Sequence, residues 1–274
     1  MIVSLLLFSA CEFEGAAHRV RFDSDLVRPG DPWHPGFPVA AGTLAKLWPV
    51  GLVGEKDRTV DLVPSVRGPS EIRDVVDGQV GLIAEKGTSV LTFSGETTDW
   101  FEIRAKPVSE AGLASEWGRL DHDGVVTLVL DGAVPFMPDL RSRTRESLAY
   151  GPNDIGFDAE GVAVLKEGIT LFGAEVGTGA VNLSFLGDDF DPVRVDVIHP
   201  DDIVAIEILV WESFQDAESA RVVGRTENGT PVDGIIPEWS DGVVVFEPSL
   251  VLDGQPKNEL IATWQGLTTT WERR

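Results

Sequence analysis

From residue 18 onward the apolar residues fall in short runs or alternate with polar ones, and Gly, Pro, Asp and Asn bound each run. Gly78 to Glu85, Ser89 to Gly95, Val125 to Leu130 and Val243 to Phe246 are four such segments. A period of two sends alternate side chains to opposite faces of an extended backbone, so these segments predict β-strands. A helix needs an apolar stripe at i, i+3, i+4 and i+7, and no window keeps one beyond a turn or two. Arg141 to Leu148 is the one segment read as a short helix. Twenty-nine glycines and seventeen prolines break the chain too often for longer ones. The expectation is an all-β chain, with turn signals recurring at the spacing of β-sandwiches.

Self-similarity along the chain adds to that picture. Thr92-Phe93-Ser94-Gly95-Glu96-Thr97-Thr98-Asp99-Trp100 and Thr263-Trp264-Gln265-Gly266-Leu267-Thr268-Thr269-Thr270-Trp271 spell the same pattern: Thr, aromatic, any, Gly, any, Thr, Thr, any, Trp. Ser184-Phe185-Leu186-Gly187-Asp188-Asp189-Phe190 keeps the first half of it. Upstream of each copy an acidic residue and a glycine feed an apolar strand, at Asp77-Gly78, Glu160-Gly161 and Asp241-Gly242. Gly95, Gly187 and Gly266 are 92 and 79 residues apart, intervals that each fit one small sandwich domain.

Residues Val76 to Ala105 resemble the closing strands of bacterial immunoglobulin-like domains, especially the type-2 group. The likeness rests on the Asp77-Gly78 turn, the Gly87-Thr88 step, the strand Val90 to Phe93, the turn at Gly95 and the strand from Trp100 to Ala105. It implies an all-β chain of three tandem immunoglobulin-like β-sandwich domains. Lys106-Pro107 and His199-Pro200 mark the joints, because proline has no amide hydrogen to continue a ladder. The expected division is 18–106, 107–199 and 200–274, with short joints that predict a semi-rigid rod.

Ahead of these domains, Ile2 to Phe8 is an apolar run far shorter than the roughly 20 residues that cross a bilayer as a helix. It ends in Leu7-Phe8-Ser9-Ala10-Cys11, which resembles the lipobox of bacterial lipoprotein signal peptides. That resemblance implies a signal peptide over 1–10, a lipidated Cys11 opening a tether over 11–17, and a membrane as the partner of the acyl chains. Cys11 is the single cysteine, so it cannot close a disulfide within the chain. Glu12, not aspartate, follows it, and by the same resemblance the outer membrane is the address.

Charge narrows the partners. Asp and Glu number 45 against 22 Lys and Arg in 274 residues, a formal net charge of −23, which repels phosphate backbones and excludes nucleic acid as a partner. Hydrophobic residues make up 43%, enough for real cores.

Few residues offer chemistry. His18, His34, His122 and His199 lie in different segments without metal-ligand spacing, and Asp121-His122-Asp123-Gly124 reads as a turn before the strand at Val125. No nucleophile elbow or phosphate-cradling glycine loop is present, so the chain is read as non-enzymatic and without a catalytic residue or cofactor. Calcium is the one ion considered, with Asp188, Asp189 and Asp191 in one turn and Asp201 and Asp202 in another as the oxygen donors. Trp100, Trp239 and Trp271 are expected in cores. The segment Asp31 to Pro38 holds three prolines and two aromatics, so it must be a loop. Trp33, His34 and Phe37 there are candidates for binding a glycan or a protein, against the alternative of a loop folded over the core.

These readings together predict a lipid-anchored envelope protein that presents immunoglobulin-like domains for adhesion, ligand binding or spacing. Two alternatives stay open: a periplasmic accessory subunit that docks by strand addition, and an enzyme with a site at a domain junction.

Overall fold

In the computed structural model the described residues are 20–29, 33–53, 56–58, 62–95, 98–115, 118–121, 124–166, 170–212, 218–239, 245–246, 249–252 and 259–272. Among them the regular elements are strands, apart from a single 3-10 turn at Pro200–Asp202. The fold class expected from the alternation is therefore the one observed. The chain divides into two compact units. The first comprises Met1–Ala111, Asp139–Gly156 and Phe185–Asp188, and the second comprises Gly112–Pro138, Phe157–Ser184 and Asp189–Arg274.

In the first unit the strands are β1 (Val20–Ser24), β2 (Val39–Ala40), β3 (Leu44–Val53), β4 (Lys56–Arg58), β5 (Val63–Arg67), β6 (Glu71–Val76), β7 (Gln79–Ile83), β8 (Gly87–Ser94) and β9 (Thr98–Lys106). One sheet runs β1-β3-β7-β6 with β4 beside β3, and the other runs β2-β9-β8-β5. Alternation decides which side chains fill the space they share. On β8, Ser89, Leu91 and Phe93 are buried while Val90 and Thr92 are not. Leu47, Val80, Leu82, Leu91, Phe93 and Ile103 form the centre of that core. Each such side chain contributes roughly 1.5–3 kcal/mol on leaving water. Asp77 and Gly78 both take positive φ, as the tight turn between β6 and β7 requires. β9 ends at Lys106, directly before Pro107.

Residues 139–156 belong to the same unit, and here one expectation is corrected. Arg141 to Leu148 is not a helix but the end of a hairpin. Leu148 donates its amide to Leu140 at 2.8 Å, Ser142 donates to Glu146 at 3.0 Å, and Arg145 turns the chain at φ +61. The hairpin buries both Leu140 and Leu148 completely, and Asp139 ties it by accepting from Arg141 Nε and Ser147 Oγ. It docks by backbone bonds: Ala40 to Ala149 at 2.8 Å, Ala149 to Pro38 at 3.0 Å, and a reciprocal Val27–Tyr150 pair. Burial pushes the Tyr150 phenol well above its ordinary pKa.

A further sheet sets Val125–Val129 parallel to Val193–Ile198, followed by Gly177–Phe185 and Ile155–Glu160, with all but Phe185, Ile155 and Gly156 belonging to the second unit. Ala133–Pro135, Thr170–Gly173 and Ala163–Lys166 make a second sheet. A further pair of sheets shares one core. Ile203–Glu212, Glu218–Thr226, Ser249–Leu252 and Val245–Phe246 pair in that order, with Pro231–Val232 also on Glu218–Thr226. Opposite them Glu238–Trp239, Glu259–Trp264 and Leu267–Glu272 pair. Ile206, Ile208, Val222, Leu260 and Ala262 fill the space between, joined by Val129. Asp233 connects these parts. Its amide donates to Thr127 at 2.8 Å, its carbonyl accepts from Val129 at 3.1 Å, and its buried carboxylate takes Arg221 Nη1 at 2.9 Å.

Candidate functional site

The proline-rich loop folds onto the first sandwich. Trp33 is 8% exposed and belongs to its core, and its indole Nε1 donates to the Phe37 carbonyl at 3.1 Å. That bond spans the residues between them and closes the loop on itself. His34 Nδ1 accepts from the Gly36 amide at 3.2 Å, and the His34 and Phe37 rings lie 3.9 Å apart at 44°. The Arg28 guanidinium sits 3.5 Å over the Phe37 ring, a cation–π arrangement, and Arg104 Nη2 donates to the Gly36 carbonyl. Of the three aromatic candidates, His34 and Phe37 are only half-buried and Trp33 is taken up by packing.

Around this loop lies a group of cations that the sequence reading passed over. Lys106 Nζ forms an ion pair with Glu146, whose carboxylate also accepts from Thr144 Oγ1 at 2.9 Å. The Lys106 hydrogen bond, then that of Thr144, holds the Glu146 carboxyl below its usual range, and the Arg104 charge adds to the effect. Arg143 and Arg145 are exposed at the hairpin turn. The available signal was Arg141-Ser142-Arg143-Thr144-Arg145, three arginines in five residues of an acidic chain.

Two half-buried carboxylates face the start of β3. Asp25 Oδ1 accepts the Lys46 amide at 2.8 Å and Asp154 Oδ2 accepts the Leu44 amide at 3.3 Å. Burial pushes both carboxyls above their ordinary range despite these bonds, and Asp25 raises Asp154 further.

The repeated nine-residue pattern gives hairpins, but its tryptophans diverge. In the first copy Ser94 pairs with Thr98 and three residues intervene, whereas in the last Trp264 pairs with Leu267 and Gln265-Gly266 alone make the turn. Relative to the shared pattern, the pairing is displaced by three positions. An odd displacement reverses the face. Trp100 therefore stands opposite Thr92 on the outer side and is 58% exposed, which corrects the expectation of a core residue. Trp271 stands opposite Leu260 and packs partly buried on the core, as does Trp239. The middle copy turns at Leu186-Gly187, both at positive φ.

The aspartates considered for calcium are all exposed. Asp188–Asp189 form a two-residue strand, Asp191 follows, and Asp201 and Asp202 lie in the 3-10 turn capped by His199. His199 Nδ1 stands 3.2 Å from Asp201 Oδ2. Among the described residues no three His, Cys, Asp or Glu side chains gather as a metal site. Gly124, at φ +79, turns the chain into the strand at Val125, and Asp121 is buried. Cys11, His18, His122 and Asp123 fall outside the described residues, as does Asp241-Gly242.

No protein-family model and no curated protein matches the chain. Among solved structures, it is similar to domains 4 to 9 of the surface layer protein SbsC, at 13% identity and a TM-score of 0.39 over 93% of this chain and 47% of that one. Domains 1 to 6 of the same protein match at 15% identity and a TM-score of 0.33, over 95% of this chain and 38% of that one. Protocadherin gammaB7 EC3-6 matches at 10% identity and a TM-score of 0.20, over 93% of this chain and 76% of that one. The chain spans less than half the length of these surface layer structures.

Proposed function

We propose that the chain is a non-enzymatic cell-envelope protein that presents tandem immunoglobulin-like sandwiches as a binding or adhesive surface or as a spacer, with Cys11 as its acyl anchor. The observation that carries the reading is architectural: among the described residues sheets built of short strands recur, with Gly-containing hairpins at Gly95, Gly187 and Gly266. Such an arrangement places loops on rigid supports, where binding residues concentrate. The proposed domains are 18–106, 107–199 and 200–274. The anchor rests on the lipobox-like Leu7 to Cys11, and two or three acyl chains would hold the protein essentially permanently, since each buried methylene contributes about 0.8 kcal/mol. The outer membrane is the proposed address.

Fractionation of cells producing the native chain and a Cys11→Ala version, with protease added to intact cells, tests this reading. Membrane association that is lost in the variant supports the anchor, and digestion from outside supports surface display. An unchanged membrane fraction for Cys11→Ala defeats the anchor.

A periplasmic accessory role by strand addition has one observation in its favour. β6 is an outer strand of its sheet, and Val75 and Val76 are more than half exposed on it. A membrane-bound chain that resists external protease and co-purifies with a stoichiometric partner would favour that role.

A further inference from the structure

The negative charge of the chain is unevenly spread. The second unit holds 25 Asp and Glu against 8 Lys and Arg, whereas the first holds 20 against 14. Within the first unit five of the cations, Arg28, Arg104, Lys106, Arg143 and Arg145, gather about the docked hairpin and the proline-rich loop. Arg143 and Arg145 are exposed at the hairpin turn, and their neighbour Glu146 is bound to Lys106. Arg104 acts on the same carboxylate and donates to the Gly36 carbonyl, which brings its guanidinium against the loop of His34 and Phe37. Arg28 lies over the Phe37 ring. Ring, hydrogen-bond, ion-pair and charge interactions thus link four separate stretches of chain, with Arg143 and Arg145 joined to them through their neighbours Thr144 and Glu146. These stretches carry the five cations, with Glu146 held among them and Glu102 on the same outward face of β9 as Arg104.

We propose that this surface, built by Arg104, Lys106, Arg143 and Arg145 beside the His34–Phe37 ring pair, binds an acidic polysaccharide. The partner class rests on the envelope reading above, and the chemistry that selects it is local. At physiological ionic strength charges act over about 8 Å, so a cluster of this kind attracts anions although the whole chain is acidic. Guanidinium groups bind carboxylates in planar, paired geometry. A duplex nucleic acid carries a charge every ~1.7 Å along a stiff axis, and the surplus of carboxylates elsewhere in the chain opposes it. An acidic sugar polymer is flexible and more sparsely charged, and its carboxylates match the planar donors of Arg104, Arg143 and Arg145.

The test is titration calorimetry of the full chain with polygalacturonate, neutral dextran and a single-stranded oligonucleotide of matched charge. Arg143→Glu/Arg145→Glu is compared with Arg67→Glu/Arg73→Glu, which makes the same charge change at exposed positions on β5 and β6. Circular dichroism melting confirms that both variants fold. Polygalacturonate binding should weaken at least about tenfold in the hairpin variant, stay within about twofold in the control, and fall steeply from about 50 to about 200 mM salt. Dextran should not bind. Equal loss in both variants, or no polygalacturonate binding at low salt, overturns the proposal, and equal affinity for the oligonucleotide overturns the polysaccharide assignment. So does concentration-dependent self-association that the hairpin variant abolishes, which would make a second copy the occupant. Fractionation of the Cys11→Ala chain reports on the envelope reading separately, because binding in solution does not depend on an anchor.

Discussion

Replacing Asp233 by alanine should unfold the second unit at a markedly lower temperature. The carboxylate is the counter-charge that Arg221 Nη1 meets at 2.9 Å, and both side chains are largely buried, at 6% and 15% exposure. Arg221 Nε is itself buried without a hydrogen bond, so the guanidinium has little in reserve when its partner goes. Removing one member of a buried pair typically costs about 3–5 kcal/mol, because the remaining charge is stranded. For a protein of this size each kcal/mol moves Tm by roughly 2–4 °C, which predicts a fall of roughly 6–20 °C by scanning calorimetry. Asp233→Asn keeps an acceptor but not the charge, and should fall between wild type and alanine. The backbone bonds of residue 233 to Thr127 and Val129 survive in every variant, so the effect isolates the side chain. Arg221→Met combined with Asp233→Leu should recover much of the loss, giving a coupling well above the ~0.5 kcal/mol of independent sites. An Asp233→Ala shift below about 2 °C, or additive single and double effects, would refute the reasoning.

The pH dependence of the first unit follows from Asp25 and Asp154. Their folded-state pKa values are raised by burial, so the stability linked to them is complete below the ordinary carboxylate range and is lost as pH rises through the raised values. Asp25→Asn with Asp154→Asn should flatten the decline in Tm between about pH 4 and pH 7; a steeper decline in the variant would contradict the sign. Trp100→Ala should change stability by less than about 1 kcal/mol in urea denaturation, whereas Phe93→Ala should cost about 3–5 kcal/mol, and comparable losses would place Trp100 inside after all. Gly179→Ala should destabilise the second unit by about 1–3 kcal/mol, since the added Cβ falls onto the Glu160 carbonyl oxygen; an unchanged Tm would show that this backbone yields. Calcium and EDTA should give the same Tm, because among the described residues the exposed aspartates at 188–191 and 201–202 do not gather into a group of three ligands; a rise with calcium would restore them as donors.

What could be read in the sequence was local. The period of two on β8 shows Leu91 and Phe93 facing inward, and Asp77-Gly78 and Gln265-Gly266 are turns that the backbone demands whatever surrounds them. What could not be read depended on residues far apart in the chain. Leu140 to Leu148 offers two leucines eight positions apart, and the hairpin that buries both competes successfully with a helix only because Val27, Pro38 and Ala40 are there to receive Ala149 and Tyr150. The cationic surface has the same origin: residues 28, 36, 104, 106 and 143–146 become neighbours through the sandwich and its docked hairpin.

The two copies of the nine-residue pattern carry that lesson into function. Identical spacing of Thr, aromatic, Gly and Trp dictates a hairpin in both places, yet the displacement between their pairings leaves Trp100 on a solvent face and Trp271 against a core. A repeated motif therefore keeps a hairpin in each copy but not its register, and leaves its surface free to differ. The surface chemistry of each segment then has to be read from its own register, and in the first unit that register and the docked hairpin set cations beside half-buried rings. A chain built in this way can vary its surface while keeping the sandwich cores unchanged, because the buried positions of β8 and β9 alternate with the outward ones that Trp100 and Arg104 occupy.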